Sequence, residues 1–218
     1  MAAPSTTVVT ISRQLASGGS FIGQQIARRL GLRYTDREIL AHAARESGVH
    51  EADLEGLEER SRGFWRSVLR QYSLGAPEAP YVAPPVPLLY EDDLFALESA
   101  IIKRVAARFD AVIVGRAGFH VLADHPGLVS IRIYAPQPWR VRRAMELYGL
   151  EDERAARELI ERSDQQRSAF VRAFTGRDWN DARAHHLCLD PSALGLELAA
   201  DLAVRLVSAR MEARRTSA

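Results

Sequence analysis

The feature that most constrains the fold of this chain is the alternation of short β-branched, apolar runs with helical segments along most of its length. Residues 8–12 (Val-Val-Thr-Ile-Ser) show no helical stripe and predict a buried parallel strand. The helix that follows, from about Ser20 to Leu30, has Ile22, Ile26 and Leu30 at every fourth position. This pattern predicts an α/β fold in which helices cover both faces of a parallel sheet.

Four further strands and a series of helices are predicted after this first unit. The strands cover about 33–35, 111–114, 128–134 and 186–189. The helices cover about 37–47 with Asp36 as its N-cap, a segment from Glu91 through Val105, 138–148, 151–174, and a final helix with Leu194, Leu198, Leu202 and Leu206 on one face. We expect one domain with a five-stranded parallel sheet, its first strand central and the glycine-containing loop at its carboxyl edge.

Composition and charge exclude several classes of protein. The 218 residues include one cysteine, Cys188, which excludes an intramolecular disulfide and a thiolate metal cluster. The net charge of +1 gives no whole-surface footprint for nucleic acid, and no apolar run is long enough to span a bilayer. The N-terminus lacks a signal-peptide pattern, so we expect a cytoplasmic protein. His185 and His186 lead into a strand and would point to opposite faces, which argues against a metal site there.

A proline-rich segment, residues 73–90, interrupts the alternation. It contains five of the ten prolines, and this spacing excludes a helix. The segment is either a mobile linker or an extended arm that packs on a surface. Its tyrosines and aliphatic residues carry more apolar surface than a solvated linker needs, so we favour the arm, with a homodimer formed through it as the corresponding expectation.

The loop between the first strand and the first helix is the main candidate for ligand binding. It contains Ser17-Gly18-Gly19-Ser20, preceded by Arg13 as its one cation. A glycine loop that enters a helix at the carboxyl edge of a parallel sheet exposes backbone N–H groups and the positive end of the helix dipole, which together hold phosphate. The alternatives are an ordinary tight turn for the glycines and a surface position for Arg13.

Further arginines follow other predicted strands and helices. Arg116 comes just after the strand 111–114, where a guanidinium can bind phosphate with two hydrogen bonds. Arg140 and Arg143 lie on one face of a helix. Farther along are Arg162, Asp164 and Arg167, for which a solvated, salt-bridged helix is the alternative interpretation.

The order of these motifs resembles the cytidylate kinase-like family. The segments that carry the resemblance are Ile11-Ser12-Arg13, Ser17-Gly18-Gly19, the turn Gly115-Arg116-Ala117-Gly118, the basic segment 140–172, the turn Phe174–Asp181 and the closing strand and helix. The resemblance covers most of the chain except about 50–95. It implies a P-loop NTPase-type three-layer fold in a single domain spanning 1–218, with an acceptor-side helical insertion at about 37–95 and a basic helical lid at about 138–180.

Two positions depart from the pattern of cytidylate kinases. Gly19 stands where their phosphate loop has a lysine, and Ala117 stands where their Gly-Arg-Asp turn has the aspartate. The lysine normally supplies a positive charge to the transferring phosphates. If the chain is an active kinase, arginines must supply that charge.

The resemblance implies ATP-dependent phosphoryl transfer to a nucleoside monophosphate, CMP or dCMP, with ATP and Mg²⁺ bound. The residues that it assigns are Arg13, Arg162 and Arg167 to catalysis, Ser17, Gly18, Gly19, Ser20, Arg140 and Arg143 to phosphate binding, Asp36, Arg37, Arg116 and Asp164 to the acceptor, and the Ser20 hydroxyl to Mg²⁺. Two alternatives stay open. One is a non-catalytic module that binds or senses nucleotides, and the other is a kinase for a different small acceptor.

Overall fold

A computed structural model describes residues 6–36, 89–115 and 117–217 of the chain. The five strands are β1 (Val8–Arg13), β2 (Arg33–Asp36), β3 (Ala111–Val114), β4 (Leu128–Ile133) and β5 (Leu187–Leu189). They pair in the order β2-β3-β1-β4-β5, and every pair is parallel. The prediction of a five-stranded parallel sheet with a central first strand is therefore confirmed.

The helices of the described residues follow the predicted alternation. They are α1 (Gly19–Leu30), α2 (Leu89–Arg108), α3 (Gly118–Val121), α4 (Gln137–Tyr148), α5 (Glu153–Thr175), α6 (Pro191–Leu194) and α7 (Leu196–Ser217). Helix α2 begins two residues earlier than expected, so Leu89 and Tyr90 belong to this helix and not to the proline-rich segment. The rest of that segment and the predicted helix 37–47 lie outside the described residues.

The first unit folds as its pattern indicates. Val9 and Ile11 of β1 pack with Ile22 and Ile26 of α1 in one buried cluster. Helix α1 ends at Gly31, which adopts the left-handed conformation (φ 68°) that only glycine enters without strain. This unit fixes the direction in which the loop between β1 and α1 leaves the carboxyl edge of the sheet.

The buried face of α7 coincides only in part with the predicted row of leucines: Leu206 packs against the core, whereas Leu194 belongs to α6 and not to the final helix. Leu198 and Leu202 are 48% and 36% exposed, whereas Ala199, Ala203 and Val207 are fully buried. Helices α1 and α7 lie against each other, and small residues let two helix backbones approach closely. The repeat of leucines thus identifies the helix but only part of its buried face.

Within the described ranges no helix combines the length and the apolar character that crossing a membrane requires.

Candidate functional site

The loop between β1 and α1 is held in shape by its own backbone and by β4. The Gln14 N–H donates to the Ile133 carbonyl (3.1 Å), and the Ser17 N–H donates to the Gln14 carbonyl (3.3 Å). The Ser17 hydroxyl donates to the Gln14 carbonyl (2.8 Å) and lies 3.3 Å from that of Ile133. Ser17 is fully buried, and both its N–H and its hydroxyl hold the loop together.

Two residues of this loop have left-handed backbone conformations, which turn successive peptide groups in one direction. They are Ala16 (φ 58°) and Gly18 (φ 93°). The backbone N–H groups of Ala16, Gly18 and Gly19 have no acceptor in the described part of the chain. Unpaired N–H groups at the start of a helix form a site for an anion. The arrangement therefore fits the predicted phosphate loop.

The segment after β5 packs directly against this loop. A Cβ atom added to Gly18 would collide with Cδ2 of Leu196 and would lie 3.9 Å from Cγ of Pro191. Gly18 thus has two reasons to be glycine, its positive φ and this contact. The first turn of α7 therefore packs against the loop at Gly18.

Arg13 is the last residue of β1, and its side chain extends from the start of α1 to the end of β3. Its stem lies over Gly19, where an added Cβ would be 2.5 Å from Arg13 Cβ and 2.8 Å from Arg13 Cγ. Its guanidinium lies against Gly115, just past the end of β3. Arg13 Nε is buried and has no hydrogen-bond partner among the described residues. Arg13, the one cation of the loop, is therefore held at the site with hydrogen-bond donors that no described residue uses.

Asp164 of α5 joins the loop to the helical region that was predicted as a lid. Its Oδ1 accepts a hydrogen bond from the Leu15 N–H (3.0 Å), and its Oδ2 lies 2.6 Å from Nη1 of Arg140. Arg140 is buried and also donates to the carbonyls of Ala135 (2.9 Å) and Leu15 (3.3 Å). Arg140 and Asp164 thus hold α4 and α5 against the loop. The Nε and Nη1 groups of Arg140 thus donate to protein groups.

The other predicted arginines of the lid region differ in their surroundings. Arg167 is half-buried, donates to the Ser163 hydroxyl (2.8 Å) and lies 3.6 Å from Oδ1 of Asp164. Arg143 has a buried Nε with no partner among the described residues, and its guanidinium lies 5.7 Å from the Trp139 ring. Arg162 is exposed. Of these three arginines, Arg167 is the one that lies beside the Asp164 carboxylate.

The predicted acceptor residues are described only in part. Asp36 ends β2 and pairs with Val114 of β3, which places its backbone at the carboxyl edge beside Gly115. Arg37 and Arg116 lie outside the described residues. Ala117, which stands where the Gly-Arg-Asp turn of cytidylate kinases has its aspartate, has a left-handed backbone (φ 50°) and is buried.

Arg132 is a buried residue of this region that the sequence analysis missed. It lies in β4 and is 4% exposed. Its Nη1 donates to the Trp179 carbonyl (2.6 Å) and to the Ser12 hydroxyl (3.3 Å), and its Nη2 donates to Asn180 Oδ1 (2.5 Å). Arg132 thereby ties the turn after α5 to the sheet, which gives the turn Phe174–Asp181 a structural role. A lone arginine in an apolar strand was the available signal.

His185 and His186 both contact Ser130 of β4 through their Nδ1 atoms. His185 Nδ1 lies 2.8 Å from the Ser130 hydroxyl, and His186 Nδ1 accepts from the Ser130 N–H (3.0 Å). Burial, with the charge of Arg132 as the second cause, lowers the pKa of His185 to about 4. No group of three metal-ligating side chains occurs in residues 6–36, 89–115 and 117–217. The two rings have structural contacts to β4.

Comparisons with known proteins agree with this architecture. The model of the cytidylate kinase-like family matches residues 8–193. An uncharacterised protein from Eubacterium ventriosum has a similar structure, with a TM-score of 0.67 at 18% identity over 93% of this chain and 99% of that one. A gluconokinase from Sinorhizobium meliloti gives a TM-score of 0.50 at 16% identity over 99% and 98% of the two chains. A shikimate kinase from Bacteroides thetaiotaomicron gives 0.50 at 12% identity over 94% and 98%. Among curated proteins, none matches the chain.

Proposed function

Since the chain belongs to the cytidylate kinase-like family, we propose that it transfers the terminal phosphoryl group of ATP to a nucleoside monophosphate, CMP or dCMP. The observation that carries this proposal is the joint position of the unpaired N–H groups of the loop and the Arg13 guanidinium. Phosphoryl transfer asks little covalent chemistry of a protein. It requires alignment of the two substrates and neutralisation of charge.

The donor phosphates would bind at the loop between β1 and α1. The N–H groups of Gly18 and Gly19 would donate to phosphate oxygens, and the N-terminal end of the α1 dipole would favour their charge. Arg13 would supply the cation that a lysine supplies in other phosphate loops. An unpartnered buried Nε fits such a ligand, because burying a donor without a partner is costly until an acceptor arrives.

Mg²⁺ needs few protein ligands when it binds together with a nucleotide, so the absence of a carboxylate cluster in the described residues is compatible with it. Ser20, in the first turn of α1, would offer its hydroxyl. When bound with ATP, the ion supplies charge neutralisation at the phosphate oxygens.

The acceptor would bind at the same edge, beside β2 and β3. Asp36 lies at the end of β2, and Arg37 and Arg116 follow β2 and β3 in the sequence. Arg116 would bind the acceptor phosphate with its guanidinium fork. Arg167, with Arg162 and Arg143 from the same helical region, would approach the transferring group, while Asp164 and Arg140 hold that region on the loop.

A non-catalytic nucleotide-binding module is the second candidate. Gly19 in place of lysine and Ala117 in place of aspartate favour it. The test is ADP production from ATP and Mg²⁺ in a coupled assay against CMP, dCMP, UMP, AMP and GMP, and against shikimate and gluconate as other small acceptors. We expect CMP or dCMP to give the highest kcat/KM. ATP binding without turnover of any acceptor would favour the binding module.

A further inference from the structure

The side chain of Arg13 depends on two glycines that belong to different elements. Gly19, the first residue of α1, leaves room for the Arg13 stem, and Gly115, after β3, leaves room for the guanidinium. A Cβ on Gly115 would collide with Nη1 and would lie 3.4 Å from Cζ. Gly115 is itself fixed, because its N–H donates to the Ile11 carbonyl (2.9 Å) and its carbonyl accepts from the Gly118 N–H (3.0 Å).

Arg13 differs from the buried arginines around it in what its donors contact. The guanidinium of Arg132 donates to Trp179 and Asn180, and that of Arg140 donates to Ala135 and Asp164. The Arg13 guanidinium has no hydrogen bond or ion pair within the described ranges, and its Nε is buried. A positive group kept free beside unpaired N–H groups has the properties of an anion receptor.

The position of the guanidinium indicates which part of a phosphate chain it can contact. The unpaired N–H groups of Gly18 and Gly19 lie where β1 leads into α1. The guanidinium lies at the end of β3, the neighbouring strand on the side away from β4. The Arg13 stem lies over Gly19 and its guanidinium against Gly115, so the donors of the guanidinium are displaced from the loop towards β3 along the length of the side chain. A phosphate chain that begins on the loop N–H groups and extends towards β3 would bring its outer phosphate to the guanidinium.

We propose that the Arg13 guanidinium binds the terminal phosphate of the donor nucleotide, beyond the phosphate held by the loop, and that Gly115 is the positioning residue that makes this possible. The proposal rests on the proposed function, because it assumes that the loop holds a nucleoside triphosphate. It implies that Gly115 affects the preference for ATP over ADP. A merely structural glycine would not affect this preference.

The test is isothermal titration of a β,γ-imido ATP analogue and of ADP, each with Mg²⁺. Gly115→Ala is compared with Gly149→Ala, which also has a positive φ (86° and 62°) but no atom near the added Cβ. Wild type is expected to prefer the triphosphate, and Gly115→Ala to lose about tenfold in its affinity with a change of less than about twofold for ADP, the size of one charge-assisted hydrogen bond. Gly149→Ala should retain the wild-type preference.

A second variant separates the effect from misfolding. Arg13→Gln keeps the stem over Gly19 and removes the guanidinium, so it should lose the same preference, and adding Gly115→Ala to it should change nothing more. If Gly115→Ala does not fold, Arg13→Gln against wild type decides the matter. Equal losses for triphosphate and ADP in either variant, or identical behaviour of Gly115→Ala and Gly149→Ala, would overturn the inference and leave the proposed function standing. Wild-type protein that binds neither nucleotide would contradict the proposed function itself.

Discussion

The side chain of Arg13 lies so close over Gly19 that a Cβ atom added to this glycine would be 2.5 Å from Cβ and 2.8 Å from Cγ of the arginine. The loop therefore accommodates Arg13 in this position or a side chain at residue 19, but not both. Glycine in place of lysine at position 19 is therefore what allows Arg13 to occupy this place.

The first prediction concerns this exclusion. Gly19→Ala should weaken ATP binding by about tenfold or more, because the added methyl group displaces Arg13. Gly19→Lys should not improve binding, for the same reason. In an Arg13→Gly background, Gly19→Ala should have little further effect. Titration calorimetry compares these four variants with wild type, and Gln24→Ala, exposed on the same helix, is the control. Wild-type affinity in Gly19→Ala would show that Arg13 moves aside without cost.

The second prediction concerns stability at Gly18. Gly18→Ala combines a positive φ of 93° with a collision against Leu196, whereas Gly176→Ala has a positive φ of 65° and open space. We expect Gly176→Ala to lower the free energy of unfolding by about 1 kcal/mol and Gly18→Ala by about 2–3 kcal/mol. Urea unfolding of both variants gives the comparison. Equal losses would mean that Leu196 adjusts freely.

The third prediction concerns the link between α5 and the loop. Asp164→Ala leaves Arg140 buried without its carboxylate and the Leu15 N–H without an acceptor. It should lower the free energy of unfolding by about 3 kcal/mol and also weaken ATP binding. Asp201→Ala, which removes an exposed ion pair with Arg29, should cost less than about 1 kcal/mol. If the two variants unfold alike in urea, the Asp164 contacts do not hold the loop.

The fourth prediction concerns pH. Burial lowers the pKa of His185 to about 4, below its ordinary value of 6.5, so the unfolded chain binds the proton more tightly. Stability should therefore fall as the pH drops from about 6.5 towards 4, by about 1 kcal/mol at pH 5 relative to pH 7 after allowance for partial exposure. His185→Asn should flatten this dependence in urea unfolding. The slope that remains belongs to other groups, among them His120 and His125, whose pKa values burial also lowers. An unchanged slope would show that His185 is not buried in solution.

The order of the elements was predictable because local patterns determine it. The β-branched run of β3 indicates a strand, and the apolar residue at every fourth position of α1 indicates a helix. Neither assignment changes if the ends of the element shift by a residue. The buried face of α7 was not predictable in this way, since the fit of Ala199 and Ala203 against α1 depends on how closely two helices approach. Apolar character alone points to the leucines.

The geometry of the candidate site was predictable where a motif lies in one stretch of chain, as in Ser17–Ser20, whereas the ligand of that loop stays a prediction. It was less predictable where the partner is distant in sequence. The Asp164 carboxylate accepts the Leu15 N–H across 149 positions, and Arg132 contacts Trp179 across 47. The arginines of α4 and α5 looked equivalent in the sequence, but Arg140 is buried and bonded to Ala135, Leu15 and Asp164, whereas Arg162 is exposed. Only the fold separates these roles.

The fifth prediction assigns the positive charge of the site. Arg13→Ala should lower kcat by about 10³-fold, with a smaller rise in KM for ATP, since a cation at the transferring phosphate stabilises the transition state more than the ground state. Lys103→Ala, on the exposed side of α2, is the matched control and should be close to wild type. Steady-state kinetics with the best acceptor gives both values. Full activity in Arg13→Ala together with loss in Lys103→Ala would place the charge elsewhere.

The most direct measurement of the central claim follows labelled phosphate from [γ-³²P]ATP to CMP by thin-layer chromatography, with wild type and Arg13→Ala side by side. The account predicts labelled CDP with wild type and a rate lower by about 10³-fold with Arg13→Ala. Wild-type protein that binds ATP but forms no labelled CDP, dCDP or other nucleoside diphosphate would contradict it.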